Sequence, residues 1–175
     1  MNKQKALRFA QGALIAAMYV ALKYAQDLIF PGTTSAAIQF RLSEALMLLC
    51  VFTPSAIPGL TIGCAVANMT SVSFLPADML IGSFATFLSA LCIWKTRDVT
   101  FKKMPVIAAL MPAIFNGVLI GLEIEAFFIE GPFRFSGFLI QACCVAAGEL
   151  GVCLSAGLLM VSVIKKRGLD KRLFK

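Results

Sequence analysis

Polar side chains that could bind a ligand are scattered through otherwise apolar stretches of the sequence. The seven candidates are Arg41, Glu44, Asn68, Asn116, Glu123, Gln141 and Glu149. Carboxylates and amides accept hydrogen bonds from N–H groups, and carboxylates attract cations, so this set suits a flat amide-bearing heterocycle or a cation. Because charge is costly to bury in apolar surroundings, we interpret these residues as candidates for substrate binding.

Helical spacing brings some of these residues together. Asn116 and Glu123 are seven residues apart, nearly two helical turns, so they share one face of a helix. No basic residue adjoins either this face or Glu149 in the sequence. A local ion pair therefore does not explain these acids, and a role in ligand binding is favoured for them.

Other polar residues have structural explanations that stay open at this point. Arg41 and Glu44 are three residues apart and could simply neutralise each other. Asn68 and Gln141 could join neighbouring helices by hydrogen bonds. One further pair has the spacing of an ion pair near a helix end, namely Lys23 and Asp27.

The composition predicts the environment of these side chains. The chain has 175 residues, of which 59% are hydrophobic and 14% charged, and its mean hydropathy is +0.87. A soluble domain is about 45–50% apolar and about 25% charged. We therefore expect a single integral membrane domain over residues 1–175, of the all-α class because apolar residues run continuously and do not alternate.

The apolar stretches predict six membrane-spanning helices. Their expected bounds are Leu7–Phe30, Arg41–Phe52 (starting near Ile38), Ala56–Phe74, Asp78–Trp94, Val106–Phe128 and Phe135–Ile164. The second is short, and the sixth is long enough to require a tilt or a break near Gly148 and Gly151.

The basic residues predict the orientation. Thirteen of the sixteen Lys and Arg residues form three clusters, at residues 3–8, 95–103 and 165–175. Loops rich in Lys and Arg stay cytoplasmic. Four predicted spans separate the first two clusters, and two separate the last two. Because both numbers are even, all three clusters lie on the same side, and both termini are expected inside the cell. The net charge of +7 is thus interpreted as a topology signal. A nucleic-acid surface is disfavoured because the clusters border the predicted spans and lack interleaved aromatic residues.

Several function classes are excluded or disfavoured. The chain has no histidine, which removes Ser-His and Cys-His catalysis and His-ligated zinc. Its six cysteines lie in apolar stretches without a CxxC pair and are interpreted as packing residues. No phosphate-binding GxxxxGK[ST] motif is present. We therefore expect no enzyme, no cofactor and no metal, and a dependence on partners for energy.

Small residues recur every fourth position in the first predicted span, at Ala13, Ala17 and Ala21. Such a stripe permits close helix contact. The contact could be with another helix of the same bundle or with a partner protein. A second small-residue pair, Gly117 and Gly121, is predicted to pack internally.

Several segments resemble the QueT family of substrate-binding S components of energy-coupling factor (ECF) transporters. The specific part is FRLSEAL followed by TPSAIPGL, and the similarity extends over nearly the whole chain, including residues 38–46, 53–60, 63–68, 116–123 and 148–150. The resemblance implies a six-helix S-component fold in the cell membrane, with the substrate held near the outer surface.

The resemblance also implies function and partners. The substrate would be a queuosine precursor, a 7-deazaguanine such as the 7-aminomethyl compound. The partners would be a membrane coupling subunit and two cytoplasmic ATPases, with the stripe Ala13, Ala17 and Ala21 as the coupling surface. The alternatives are an S component for another small vitamin-like compound, a membrane-embedded enzyme, or a structural or assembly protein of the membrane.

Overall fold

The computed structural model describes residues 2–32, 40–70 and 76–174, and every named element within them is helical. These elements are α1 (Lys3–Ile29), a 3₁₀ helix (Leu42–Val51), α2 (Ala56–Met69), α3 (Pro76–Thr96), α4 (Val106–Glu123), α5 (Phe135–Val152), α6 (Leu158–Lys166) and α7 (Leu169–Leu173). Two expected boundaries, the start of the second span near Ile38 and the end of the third at Phe74, lie outside the described residues.

Four helical segments within the described ranges are long and apolar enough to cross a membrane. They are Lys3–Ile29, Pro76–Thr96, Val106–Phe128 and Phe135–Lys166. Each coincides with a stretch predicted from the sequence, to within four residues at either end. The predicted all-α class is therefore confirmed for the described residues, and four of the six predicted spans have the length and composition to cross a membrane.

The second and third predicted spans form shorter helices than expected. The second is a 3₁₀ helix of 10 residues, and α2 has 14 residues. At about 2.0 Å per residue for a 3₁₀ helix and 1.5 Å for an α-helix, each covers roughly 20 Å, less than the bilayer core of about 30 Å. Pro54 separates the two helices, because the residue before a proline is disfavoured in helical conformation.

The 3₁₀ helix lies at the centre of the bundle. All of its residues from Ser43 to Cys50 are buried, and its neighbours include α1, α3 and the π-helical turn Cys153–Gly157. An added Cβ at Gly157 would lie 2.8 Å from Cδ1 of Leu48. Close approach at this glycine lets the last long helix pack against the 3₁₀ helix.

The last long helical segment, for which a tilt or a break was predicted, is continuous but changes its helical form near the predicted glycines. The π-helical turn Cys153–Gly157 joins α5 to α6, shortly after Gly148 and Gly151. A second π-helical turn, Ile124–Phe128, extends α4. Such turns insert an extra residue into a helix and often occur at functional sites.

Glycines set the close helix pairs of the bundle. An added Cβ at Gly59 would lie 2.5 Å from the main-chain oxygen of Gly12, which keeps α1 and α2 in backbone contact. Gly121 approaches Ala142 in the same way, with 2.7 Å from an added Cβ to Cα of Ala142, and Gly117 also faces α5. The internal packing predicted for Gly117 and Gly121 is confirmed.

The two ends of the bundle differ in charge. At one end, here called the basic end, α7 packs back on the bundle: Phe174 stacks on Phe52, with ring centroids 5.7 Å apart. The side-chain amide of Gln11 donates to the main-chain oxygen of Leu173 at 2.5 Å. Nζ of Lys165 donates to the main-chain oxygen of Lys103, so the middle and C-terminal basic clusters meet at this end. The start of α3 and the end of α4, with Asp78 and Glu123, lie at the opposite end.

Candidate functional site

A buried carboxylate from the 3₁₀ helix forms the first part of the site. Glu44 is 0% exposed, and its Oε1 accepts a hydrogen bond of 2.5 Å from the hydroxyl of Tyr19 in α1. The main-chain oxygen of Glu44 accepts a weak bond of 3.8 Å from the thiol of Cys153. Glu44 is thus held from two sides, by α1 and by the π-helical turn after α5.

A second buried carboxylate comes from α5. Oε1 of Glu149 accepts a hydrogen bond of 2.9 Å from Nδ2 of Asn116 in α4. Glu149 is 1% exposed and Asn116 is 2% exposed. The guanidinium of Arg41 interacts by charge with both Glu44 and Glu149. Residues that are far apart in the sequence therefore meet in one polar cluster, here called the central cluster: Tyr19, Arg41, Glu44, Asn116 and Glu149.

Each acid of the central cluster has one oxygen without a partner. Oε2 of Glu44 and Oε2 of Glu149 are buried and accept no hydrogen bond in the structure. A buried acceptor left unpaired costs about 1–3 kcal/mol, and more when it is charged. The cluster is therefore complementary to a ligand that brings hydrogen-bond donors.

The backbone around Arg41 is held by a residue of α1. The side chain of Gln26 donates from Nε2 to the main-chain oxygen of Phe40 and accepts at Oε1 from the main-chain N–H of Leu42 at 2.7 Å. Gln26 is 3% exposed. The two bonds lie on either side of Arg41, so they set the position from which its guanidinium enters the central cluster.

A second polar group lies where α2, α3 and α4 meet, toward the end opposite the basic end. Nδ2 of Asn68 donates to the main-chain oxygen of Asp78 at 2.9 Å. Glu123 closes α4 at the same end and is 0% exposed. Its carboxylate interacts with the side chain of Asp78. Asn68 thus joins two helices, as one of the two explanations for it predicted.

The remaining predicted residues lie apart from these groups. Gln141 is half-buried, and no hydrogen bond joins it to either group in the part of the chain that is described. Lys23 and Asp27 form the predicted ion pair, with 2.6 Å from Nζ to Oδ2. No group of three or more His, Cys, Asp or Glu residues among the described residues could hold a metal ion.

Three residues of these polar groups and their surroundings were not singled out from the sequence: Tyr19, Gln26 and Glu125. Asp78 was expected to open the fourth span from outside, but it was not among the predicted binding residues. Tyr19 and Gln26 are seven residues apart and are buried on one face of α1, a spacing that could have identified them. Glu125 has a structural role: its Oε1 accepts from the main-chain N–H of Arg134 at 3.2 Å, which anchors the residue that precedes α5.

The alanine stripe of α1 faces away from the bundle. Ala13, Ala17 and Ala21 are exposed, whereas the neighbouring small residues turn inward. An added Cβ at Gly63 would lie 3.0 Å from the main-chain oxygen of Ala16. The helix therefore carries two small-residue faces, one packed on α2 and one uncovered.

Comparisons with known proteins agree with the membrane fold. A family model described as "QueT transporter" matches residues 9–166. The "Queuosine precursor transporter QueT" of Lactococcus lactis subsp. cremoris (strain MG1363) is 33% identical over 91 residues, which cover 50% of this chain and 50% of that protein. The alignment thus spans about half the length of the relative. No solved structure matches the chain.

Proposed function

The chain belongs to the QueT transporter family, and we propose that it is the substrate-binding subunit of an ATP-driven ECF importer. It is a multi-pass protein of the cell membrane, as its family and its long apolar helices indicate. The proposed substrate is a queuosine precursor, a 7-deazaguanine such as 7-aminomethyl-7-deazaguanine, captured from outside the cell. The name of the Lactococcus lactis relative supports this substrate class.

Two buried carboxylate oxygens of the central cluster that have no hydrogen-bond partner are the main support for this proposal. One edge of a 7-deazaguanine presents a ring N–H and an exocyclic amino group side by side. These donors match Oε2 of Glu44 and Oε2 of Glu149, which lack partners in the structure. Binding would then satisfy the acceptors that are costly to leave unpaired.

Two further groups of the central cluster complement the rest of the base. The carbonyl oxygen of a deazaguanine needs a hydrogen-bond donor, and the guanidinium of Arg41 and the amide of Asn116 are the donors at hand. Arg41 also offsets the negative charge of the two acids. A ligand with donors along one edge and an acceptor beside them therefore fits better than a purely anionic one.

We further propose the membrane topology that the charges indicate: six membrane segments with both termini inside the cell. The 3₁₀ helix and α2 would serve as the second and third segments, packed within the bundle despite their short length. The basic end would face the cytoplasm, in agreement with the positive-inside rule.

Energy coupling is proposed to involve a membrane coupling subunit and two cytoplasmic ATPases. The resemblance of the sequence to S components supports this. The transporter family also implies a non-enzymatic role for this chain, so that ATP hydrolysis would be done by the partners. The exposed stripe of Ala13, Ala17 and Ala21 offers a flat surface for the coupling subunit. In this scheme, the subunit would topple in the membrane to release its substrate inward.

Ligand binding by the purified chain tests the proposal. Calorimetric titration with 7-aminomethyl-7-deazaguanine, riboflavin and thiamine is expected to show saturable binding of the deazaguanine only. Mass spectrometry of small molecules that copurify with the protein gives an independent identification. Tight binding of riboflavin or thiamine without affinity for the deazaguanine would favour an S component for another compound.

A further inference from the structure

Glu123, where α4 passes into its π-helical turn, is a buried acid without a hydrogen-bond donor. Its side chain is 0% exposed, and neither carboxylate oxygen accepts a hydrogen bond from an N–H or O–H group in the structure. Buried carboxylates are normally paired with a cation or hydrogen-bonded. Glu123 therefore receives no N–H or hydroxyl donor from the described part of the protein.

A second acid lies close to Glu123. The side chain of Asp78 interacts with the carboxylate of Glu123, and the charge of the Arg41 guanidinium also acts on it. Asp78 is half-buried and lies in the first turn of α3. Two carboxylates at close range repel each other, so the pair favours the presence of a cation.

The backbone of Asp78 is held in place for this arrangement. Nδ2 of Asn68 donates to its main-chain oxygen. Gly82, one turn later in α3, leaves room for this amide, because an added Cβ would lie 2.7 Å from Nδ2 of Asn68. The position of Asp78 opposite Glu123 thus depends on a specific contact between α2 and α3.

We propose that Glu123 and Asp78 form a subsite for a primary ammonium group of the ligand. The inference rests on the proposed function and assigns the two ends of the substrate: the base edge to the central cluster, and a cationic arm to the acid pair. Glu123 and Asn116 are seven residues apart in α4, a rise of roughly 10 Å. This separation is of the same order as the length of a fused bicyclic base that carries a short aminomethyl arm.

Two ligands that differ only in the arm test the subsite. Binding of 7-aminomethyl-7-deazaguanine and of unsubstituted 7-deazaguanine is measured by calorimetry on the purified full chain. The wild-type protein is expected to prefer the aminomethyl compound. In Glu123→Gln and in Asp78→Asn, affinity for this compound is expected to fall by roughly 10- to 100-fold, as for loss of a buried charged contact, and affinity for 7-deazaguanine by less than about 3-fold.

The exposed acid Glu130 provides the matched control, and Glu130→Gln is expected to leave both affinities unchanged. Equal losses for both compounds in both acid-pair variants would overturn the ammonium subsite while leaving the proposed function intact. Affinity that depends on Na⁺ concentration at constant ionic strength would also overturn it, since an inorganic cation would then occupy the pair. If the wild-type chain binds neither compound, the proposed function itself fails.

Discussion

The hydroxyl of Tyr19 donates a 2.5 Å hydrogen bond to Oε1 of Glu44, which ties the first long helix to the buried 3₁₀ helix. Both side chains are at most 2% exposed. The bond occupies one oxygen of Glu44 and leaves the other without a partner. Tyr19 therefore orients the carboxylate that the proposed substrate meets.

Replacing Tyr19 with Phe is expected to weaken substrate binding and to leave the protein folded. The ring still fills its site, but Oε1 of Glu44 loses the hydrogen bond that helps to orient the carboxylate. We expect roughly a 10-fold loss in affinity, equivalent to about 1.4 kcal/mol, measured by calorimetry with 7-aminomethyl-7-deazaguanine. Tyr24→Phe, at an exposed position of the same helix, serves as the control. Unchanged affinity in Tyr19→Phe would show that this bond has no part in binding.

Glu149→Gln distinguishes a binding role from a structural one. The amide oxygen of Gln can still accept from Asn116, so the contact between α4 and α5 is kept. The negative charge is lost, and the oxygen of the side chain that would accept from the ligand is replaced by an NH₂ group, which can only donate. We therefore expect roughly a 100-fold loss of affinity. Thermal unfolding in detergent is measured in parallel. A large fall in stability with normal ligand affinity would favour the structural or assembly interpretation.

Gln26→Ala is expected to act through Arg41. The variant removes both hydrogen bonds to the backbone on either side of Arg41, which should cost about 1–3 kcal/mol of stability. Affinity should also fall, because the guanidinium no longer enters the central cluster from a fixed position. Gln4→Ala, at an exposed position of α1, is expected to change neither quantity. A loss of stability without a change in affinity would contradict the positioning role.

Ala17→Leu tests the proposed coupling surface. Ala17 is exposed in the isolated chain, so a larger side chain should leave the fold and substrate binding intact. ATP-dependent uptake of the labelled deazaguanine by cells that contain the coupling partners should be abolished. Ala147→Leu introduces the same side chain at an exposed position of α5 and is expected to transport normally. Retained uptake in Ala17→Leu would exclude this face as the coupling surface.

Gly59→Ala is expected to destabilise the pairing of α1 with α2. The added Cβ would lie 2.5 Å from the main-chain oxygen of Gly12, a distance that requires the helices to move apart. Gly151→Ala is the matched control, since its nearest contact is 3.9 Å away at Phe40, and alanine favours a helix by roughly 1 kcal/mol over glycine. The midpoint of thermal unfolding is therefore expected to be lower for Gly59→Ala than for the wild type, and for Gly151→Ala to be equal to that of the wild type or higher.

Much of the fold followed from local properties of the sequence. Long apolar runs predict membrane helices because every residue of such a run is compatible with lipid or with a protein interior. The length of the last long segment predicted a tilt or a break near Gly148 and Gly151, and a π-helical turn follows these glycines within one continuous helix. The 3₁₀ helix was not predicted, because Arg41–Phe52 has the composition of an ordinary apolar helix. Its form becomes evident only with its neighbours, which bury it on all sides.

The sequence by itself identified the membrane class, the family resemblance and a short set of intramembrane acids, because the cost of burying charge makes each such acid conspicuous. It could not determine which acids meet. Only the tertiary structure places Glu44 beside Glu149 and Glu123 beside Asp78, and only it turns the alanine stripe outward. Those relationships are contacts between distant helices, and they depend on how the helix faces pack, which no local spacing encodes.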